Sequence, residues 1–268
     1  MSPTGVERGA LIVDPDRSTV ELVRSLLLTV RRIRTIGAPD VETAWKLLGD
    51  ADPKLIFIAH APPTLHAPQF TRELRRSDLA ARKTPVVMLA NDPTQSQITA
   101  ARDSGVHEVL RKPFTLADLL LRVDTVLKRR RGWVEGVGYV GPDRRRFNSA
   151  LLASQRRRRF DKEMLSPENA RIGQALKIMK VALEAIDKDP RQALRALRAQ
   201  AEELQEAAVA MADYALAGAA KTLKVYLETA VERGRFNSHE CARELGGLFA
   251  AQAAQQAQPS EPKKRLSA

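Results

Sequence analysis

Two acids, Asp14 and Asp16, follow the apolar run Ala10-Leu11-Ile12-Val13, and a lysine, Lys112, follows the apolar pair Val109-Leu110. Carboxylates delivered to a strand end are costly to bury unless they are paired or hydrogen bonded. A lysine nearby could hold an anion or pair with one of the acids. A further apolar run, Leu55-Ile56-Phe57-Ile58, leads into Ala59, whose methyl group is neither nucleophile nor ligand. His60 beside it could in principle accept a phosphoryl group, although a lone His at a strand end usually reads as a loop residue. His66 and His107 have no partner at metal-ligand spacing. The single cysteine, Cys241, rules out a disulfide within the chain and suits a reducing compartment. No nucleophile–base pair or metal cluster is legible. The residues therefore predict no catalytic site, no metal centre and no cofactor.

The elements that must position these residues are short and regular. With 268 residues the chain has room for two small domains, and aromatics at 4% leave Leu, Val, Ile and Ala to form the cores. Besides the runs at 10–13 and 55–58, Pro85-Val86-Val87-Met88-Leu89 and Val109-Leu110 read as strands, with a weaker one at Ile33 to Ile36. Continuous apolar runs this short suit strands buried on both faces. Helical spacing separates them: Val20, Val23, Leu26 and Leu27 after Asp16, then Val41, Ala44, Leu47 and Leu48 after a capping Asp40. Phe70, Leu74 and Ser77 mark a third helix, and Ile98, Ala101 and Val106 a fourth that ends at Gly105. Leu116, Leu119, Leu120, Val123 and Leu127 mark a fifth, capped by Thr115. Five alternations predict an α/β domain, a doubly wound five-stranded parallel sheet whose functional crevice lies beyond the C-terminal strand ends.

Leu11-Ile12-Val13-Asp14, Ile58 followed by Pro63, and Arg111-Lys112-Pro113-Phe114 resemble the receiver domain of bacterial response regulators. The Lys-Pro-Phe element is the most specific of these, because it follows a strand and opens the last helix. The resemblance covers roughly the first half of the chain and implies a flavodoxin-like fold in a two-component phosphorelay. It also implies a site, and the site is incomplete. The first Mg²⁺-binding acid falls on Asp14, but the second falls on Pro15, with Asp16 displaced by one place. The phosphoacceptor position falls on Ala59 and the phosphoryl-sensing Ser/Thr position on Ala90. The lysine that pairs with the phosphoryl group survives as Lys112, and the aromatic switch position falls near Val109. Three independent losses in one pocket imply a pseudo-receiver. Asp14 and Lys112 then read either as a leftover ion pair or as a residual Mg²⁺ or anion site.

The net charge of +12 is concentrated in one segment: 11 Lys and Arg against two acids, Glu135 and Asp143, between Lys128 and Arg159. Gly132, Gly136, Gly138 and Gly141 predict no regular structure there, and Gly141-Pro142-Asp143 predicts a turn. Arg144, Arg145, Arg146, Arg156, Arg157, Arg158 and Arg159 are candidate anion or nucleotide ligands, with Trp133, Tyr139, Phe147 and Phe160 as stacking faces. A solvated basic linker folding over acidic surface of its own chain, a cyclic dinucleotide or nucleic-acid contact, and docking to an acidic protein all fit. No helix-turn-helix or zinc pattern supports sequence-specific DNA reading. Tyr139-Val140-Gly141-Pro142-Asp143 and the arginines after it resemble a short run placed after receiver-like domains in signalling proteins of alphaproteobacteria.

The second half predicts an all-α bundle. Ser166-Pro167-Glu168 opens one helix, lined by Ile172, Leu176, Met179, Leu183 and Ile186, and Asp189-Pro190 opens a second. Leu194, Leu197, Ala201, Leu204, Ala208, Met211 and Ala215 form a heptad seam, read either as the bundle's own core or as a coiled-coil homodimer face. Leu223, Leu227, Ala230 and Val231 mark a third helix ending at Gly234. Asn237 and Glu240 cap a fourth that carries Leu245, Leu248 and Phe249. A phosphotransfer bundle would need a His in mid-helix, whereas His239 sits beside a cap.

The expected organisation is therefore a receiver-like domain over 1–130, an arginine-rich linker over 131–165, a bundle over 166–250 and a disordered tail over 251–268. No apolar run approaches the roughly 20 residues of a membrane span, and the N-terminus lacks a secretion-signal pattern, so the expected location is cytoplasmic. The expected function is phosphorylation-independent docking to signalling proteins through the last helix and strand of the first domain. The alternative is a ligand-responsive effector acting through the arginines.

Overall fold

The structure, a computed structural model, describes residues 9–128, 131–144, 167–232 and 241–248. The chain divides into two compact units, Met1–Val134 with Tyr139–Arg156, and Glu135–Gly138 with Arg157–Ala268.

The first unit is built on β1 (Ala10–Val13), β2 (Thr35–Ala38), β3 (Leu55–His60), β4 (Val86–Asn91) and β5 (Glu108–Lys112), all parallel, in the order β2-β1-β3-β4-β5. Between them run α1 (Arg17–Arg31), α2 (Val41–Asp50), α3 (Ala67–Arg76), α4 (Gln95–Ser104) and α5 (Leu116–Lys128). Strand side chains alternate between two cores, as a period of two requires. Leu11, Val13, Ile56, Ile58, Val86 and Met88 pack with Ala44, Leu48, Phe70, Leu74, Ile98 and Ala101 of α2, α3 and α4. Ala10, Ile12, Leu55, Phe57, Val87 and Leu89 pack with Val20, Val23, Leu27, Leu119, Val123 and Val126 of α1 and α5. Helices on both faces make this the doubly wound sheet that the strand–helix alternation implies.

The helix ends follow from local chemistry. Asp16 and Asp40 accept from the first-turn amides of α1 and α2, and Thr94 with Gln97 forms a capping box on α4. Gly105, at φ 94°, closes α4 in the left-handed region. Thr115 Oγ1 accepts from Asp118 N at 3.2 Å to start α5. One strand is displaced from its expected place. Arg32, at φ 53°, closes α1, and Ile33 N donates back to Leu27 O, so β2 begins at Thr35 rather than Ile33.

Regular structure continues past α5, against the expectation from the glycines. β6 (Trp133–Glu135) and β7 (Val140–Pro142) form a two-stranded sheet, so Gly141 and Pro142 lie in a strand rather than a turn. Gly141 has φ 153°, and a Cβ there would lie 2.7 Å from the Tyr139 hydroxyl and 2.9 Å from Gly105 Cα. The glycine marks a close approach of two backbones rather than a break.

The second unit contains α6 (Pro167–Glu184), α7 (Pro190–Ala210), α8 (Tyr214–Glu232) and a further helical segment at 241–248. Its core gathers Ile172, Leu176 and Met179 with Leu197, Leu204, Leu223, Leu227, Leu245 and Leu248. Asp189 caps α7 by accepting from Gln192 N, with Pro190 in its first turn. The seam ends early. Ala212 takes a left-handed φ of 59° and breaks the helix, so Met211 is a C-cap and Ala215 stands exposed on α8. Leu197, Ala201, Leu204 and Ala208 are buried in this unit's own core. Ser166, Gly234, Asn237, His239, Glu240, Phe249 and the tail lie outside the described residues. Among the described residues no helix is long and apolar enough to cross a membrane.

Candidate functional site

The C-terminal strand ends bring Asp14, Ala59, Ala90 and Lys112 to one edge of the sheet. β1 delivers Asp14, whose amide donates to Ala38 O at 3.0 Å. β3 and β4 place His60 opposite Ala90, and β4 and β5 place Asn91 opposite Lys112. Ala59 and Ala90 are 3% and 2% exposed, so their methyl groups belong to the core.

Asp14 is equally buried, at 3%. Its Oδ2 accepts from Lys112 Nζ at 2.6 Å and its Oδ1 from Asp16 N at 2.9 Å. Lys112 also donates to Thr19 Oγ1 at 3.3 Å. A buried carboxylate is tolerated when it is paired and hydrogen bonded in this way. Asp16 does not complete the pair. Its oxygens accept from Ser18 N, Thr19 N and Thr19 Oγ1, the last at 2.6 Å. The Thr19 hydroxyl first, and the Ser18 amide next, hold the Asp16 carboxyl below its ordinary range. The displaced acid is thus engaged as a helix cap.

This donor set does not fit a divalent cation. Both oxygens of Asp14 are engaged, Asp16 is turned to the first turn of α1, and positions 15 and 59 supply proline and alanine. Among the described residues no group of three His, Cys, Asp or Glu could hold a metal. Asp92, the acid after β4, pairs with Arg111 at 3.2 Å rather than with Lys112. His60 is half-buried with its Nδ1 unpartnered among the described residues, and its ring lies edge-on to His66 at 6.1 Å. Burial first, then the neighbouring His66, pushes the His60 pKa down, so the ring is neutral at physiological pH.

Residues to which the sequence assigned no role lie at the opposite, N-terminal end of β4 and β5. Arg75 is fully buried; it donates to Gly105 O at 3.1 and 2.9 Å, to Arg82 O at 2.7 Å and to Thr84 O at 2.9 Å. Its Nη2 also meets His107 Nδ1 at 3.3 Å, and Val86 N donates to the same nitrogen, which leaves the imidazole neutral. Burial pushes Arg75 down to about 9. Burial first, then Arg75 and Arg131, pushes His107 well below its ordinary value. Arg131 donates to buried Glu108 at 2.5 Å, and Arg122 lies 3.7 Å from the other Glu108 oxygen. Arg75 was legible in part: it follows Leu74 and lies four residues after Thr71, on the buried side of α3.

Of the arginine candidates, only Arg144 lies among the described residues. It pairs with Asp103 at 3.1 Å and stacks 4.4 Å from the Tyr139 ring centroid. Tyr139 is 9% exposed and donates to Pro142 O at 2.6 Å; burial pushes it up to about 12. Trp133 faces Arg75, Arg82 and Lys83, at 5.5, 5.9 and 5.8 Å from its ring centroid. The expected stacking faces of Trp133 and Tyr139 are thus in contact with cations of their own unit. Arg145, Arg146, Arg156, Arg157, Arg158 and Arg159, with Phe147 and Phe160, lie outside the described residues.

Residues 10–124 match the family model of the response regulator receiver domain, and that part of the chain is a receiver domain of two-component signalling. The chain is 26% identical over 122 residues to the phosphate regulon transcriptional regulatory protein PhoB of Escherichia coli, covering 46% of this chain and 52% of PhoB. It therefore spans about half the length of that relative. It is 28% identical over 119 residues to chemotaxis protein CheY-3 of Vibrio cholerae, covering 44% of this chain and 91% of CheY-3. Among solved structures it is similar to Vibrio cholerae CheY4, with a TM-score of 0.42 and 23% identity over 44% of this chain and 98% of that one. A Francisella response regulator receiver domain is similar at a TM-score of 0.41 and 24% identity, covering 46% of this chain and 98% of that one.

Proposed function

We propose that the receiver domain is a pseudo-receiver that signals by contact, without an aspartyl phosphate and without enzymatic activity. One observation carries this reading: a buried methyl group, Ala59, stands where the resemblance puts the phosphoacceptor. The carboxylate at the end of β1, Asp14, is already paired with Lys112 at 2.6 Å. Phosphoryl transfer to a carboxylate needs a free nucleophilic oxygen and a cation to stabilise the transferring group, and this crevice offers neither arrangement.

The docking surface lies on α5, where Leu116, Leu121 and Leu127 stand exposed. The resemblance to receivers, which commonly dock through their last helix and strand, supports this placement. The helical unit supplies a second partner surface; burial of Leu197, Ala201 and Leu204 in its own core favours that role over self-association through the seam. We place the protein in the cytoplasm, where two-component partners meet.

Incubating the full chain with acetyl phosphate and Mg²⁺, followed by intact-mass measurement, tests the reading. The expected result is an unmodified chain. A stable phosphoryl adduct mapped to Asp14, Asp16 or His60 would overturn it.

A further inference from the structure

A tight loop at 61–65 joins β3 to α3. Ala61 N donates to Leu65 O at 2.9 Å and Leu65 N donates to Ala61 O at 3.0 Å, so the two residues form an antiparallel hydrogen-bonded pair. The Thr64 hydroxyl also donates to Ala61 O at 3.0 Å. Pro62 and Pro63 each fix a φ angle inside the loop. The loop is therefore stiff, and it sets the spacing of the residues on either side.

Those residues are His60, which ends β3, and His66, which precedes α3. Flanking a hydrogen-bonded pair, they hold the positions at which side chains across an antiparallel ladder stand closest. Leu65 is 2% exposed and turns into the core, and strand alternation turns its neighbours the other way. The two rings accordingly meet edge-on, with centroids 6.1 Å apart. Neither ring has another hydrogen-bonding task. His60 Nδ1 is buried without a partner among the described residues, which costs free energy. His66 sits at the N-cap of α3 but makes no side-chain cap bond, unlike Asp16, Asp40 and Thr94 at the same position of α1, α2 and α4.

Adjacent imidazoles without other partners are ligands for borderline divalent ions such as Zn²⁺ and Cu²⁺, whereas Mg²⁺ and Ca²⁺ take oxygen. Two nitrogens each about 2.1 Å from one ion lie roughly 3 Å apart. His66 is exposed and the χ2 torsion of a histidine is soft, so its ring can turn a nitrogen toward His60 without moving the backbone.

We propose that His60 and His66 form a two-imidazole clamp for a borderline divalent transition-metal ion such as Zn²⁺. A structural zinc centre is closed by four protein ligands; this clamp is open, with water in the remaining positions. The bound ion ties the start of α3 to the end of β3. The clamp uses neither Ala59 nor the Asp14–Lys112 pair, so it does not rest on the pseudo-receiver reading.

The test titrates the full chain with Zn²⁺ alone, following the histidine ring resonances by NMR and the affinity by calorimetry. The expected result is one ion per chain, with saturable changes at the rings of both His60 and His66, and no change with Mg²⁺. His66→Gln replaces an exposed side chain that caps nothing, so the variant is expected to keep its fold by circular dichroism. It is expected to bind Zn²⁺ about a hundredfold more weakly, because the second imidazole of a clamp binds as an intramolecular ligand. His60→Gln is expected to do the same; should that half-buried change disturb the fold, the native ring spectra and His66→Gln still decide. Rings of His60 and His66 that stay unmoved while Zn²⁺ binds elsewhere, or an unchanged affinity in His66→Gln, overturn the proposal. One ion per two chains with a Zn²⁺-dependent dimer also overturns it, because the site would then be shared between copies.

Discussion

The two ends of the five-stranded sheet carry polar groups for different ends. At the C-terminal strand ends one ion pair, Asp14 with Lys112, stands among Pro15, Ala59 and Ala90. At the N-terminal ends of β4 and β5 the interior holds Arg75, His107 and Glu108, tied to main-chain carbonyls, an amide and Arg131. The first end is where a receiver would do chemistry; the second fixes α3, α4 and β7 to the sheet edge. The contrast shows two uses of buried polar groups in one sheet: a single ion pair at one end, and at the other a network tied to main-chain carbonyls and an amide.

Breaking the structural end should cost most. Arg75→Met removes donors from Gly105, Arg82 and Thr84 carbonyls together and is expected to lower stability by about 4 kcal/mol, several unsatisfied buried groups at roughly 1–3 each. Urea denaturation measures it; a loss below about 1 kcal/mol would mean that the network carries little. At the crevice, Lys112→Met leaves Asp14 buried without its ammonium and is expected to cost about 3 kcal/mol, the low end for a broken buried pair, since Lys112 is partly exposed. Glu108→Gln weakens both Arg131 and Arg122 and is expected to cost about 2 kcal/mol by the same assay.

The smallest effect is one of pH. His107 is held neutral by burial and by Arg75 and Arg131, so its folded pKa lies below its unfolded value near 6.5. Below that pH the unfolded chain binds the extra proton. Stability is fully present above about pH 6.5 and falls as pH drops, by up to about 1.4 kcal/mol per pH unit. His107→Gln should flatten the stability profile between about pH 6.5 and 5 relative to the native chain. An unchanged slope would assign the acid sensitivity to other groups.

Much of the first unit was legible because its signals are local. Apolar runs bounded by caps marked β1, β3, β4 and β5, and Asp16, Asp40, Gly105 and Thr115 sit where the helices start or stop. The crevice was legible as a set of positions, because strand ends fix where residues 14, 59, 90 and 112 must lie. The engagement of Asp16 by Thr19 was not, since it depends on side-chain geometry within one turn. The β6–β7 sheet was hidden by its glycines, which serve a close backbone approach rather than a break. The seam was overextended because nothing in the residue types at Met211–Ala212 announces a left-handed backbone there. The capture of Glu135 by Gln192 joins residues 57 positions apart, beyond the reach of any periodicity.

The most direct test of the central claim is an amide NMR comparison of the full chain with and without Mg²⁺ and beryllium fluoride, which caps an accepting carboxylate as a phosphoryl analogue. The account expects resonances of Asp14, Ala59, Ala90 and Lys112 to stay in place. Saturable shifts at those four residues would contradict it, because they would show a phosphoryl-like group and its cation held in the crevice.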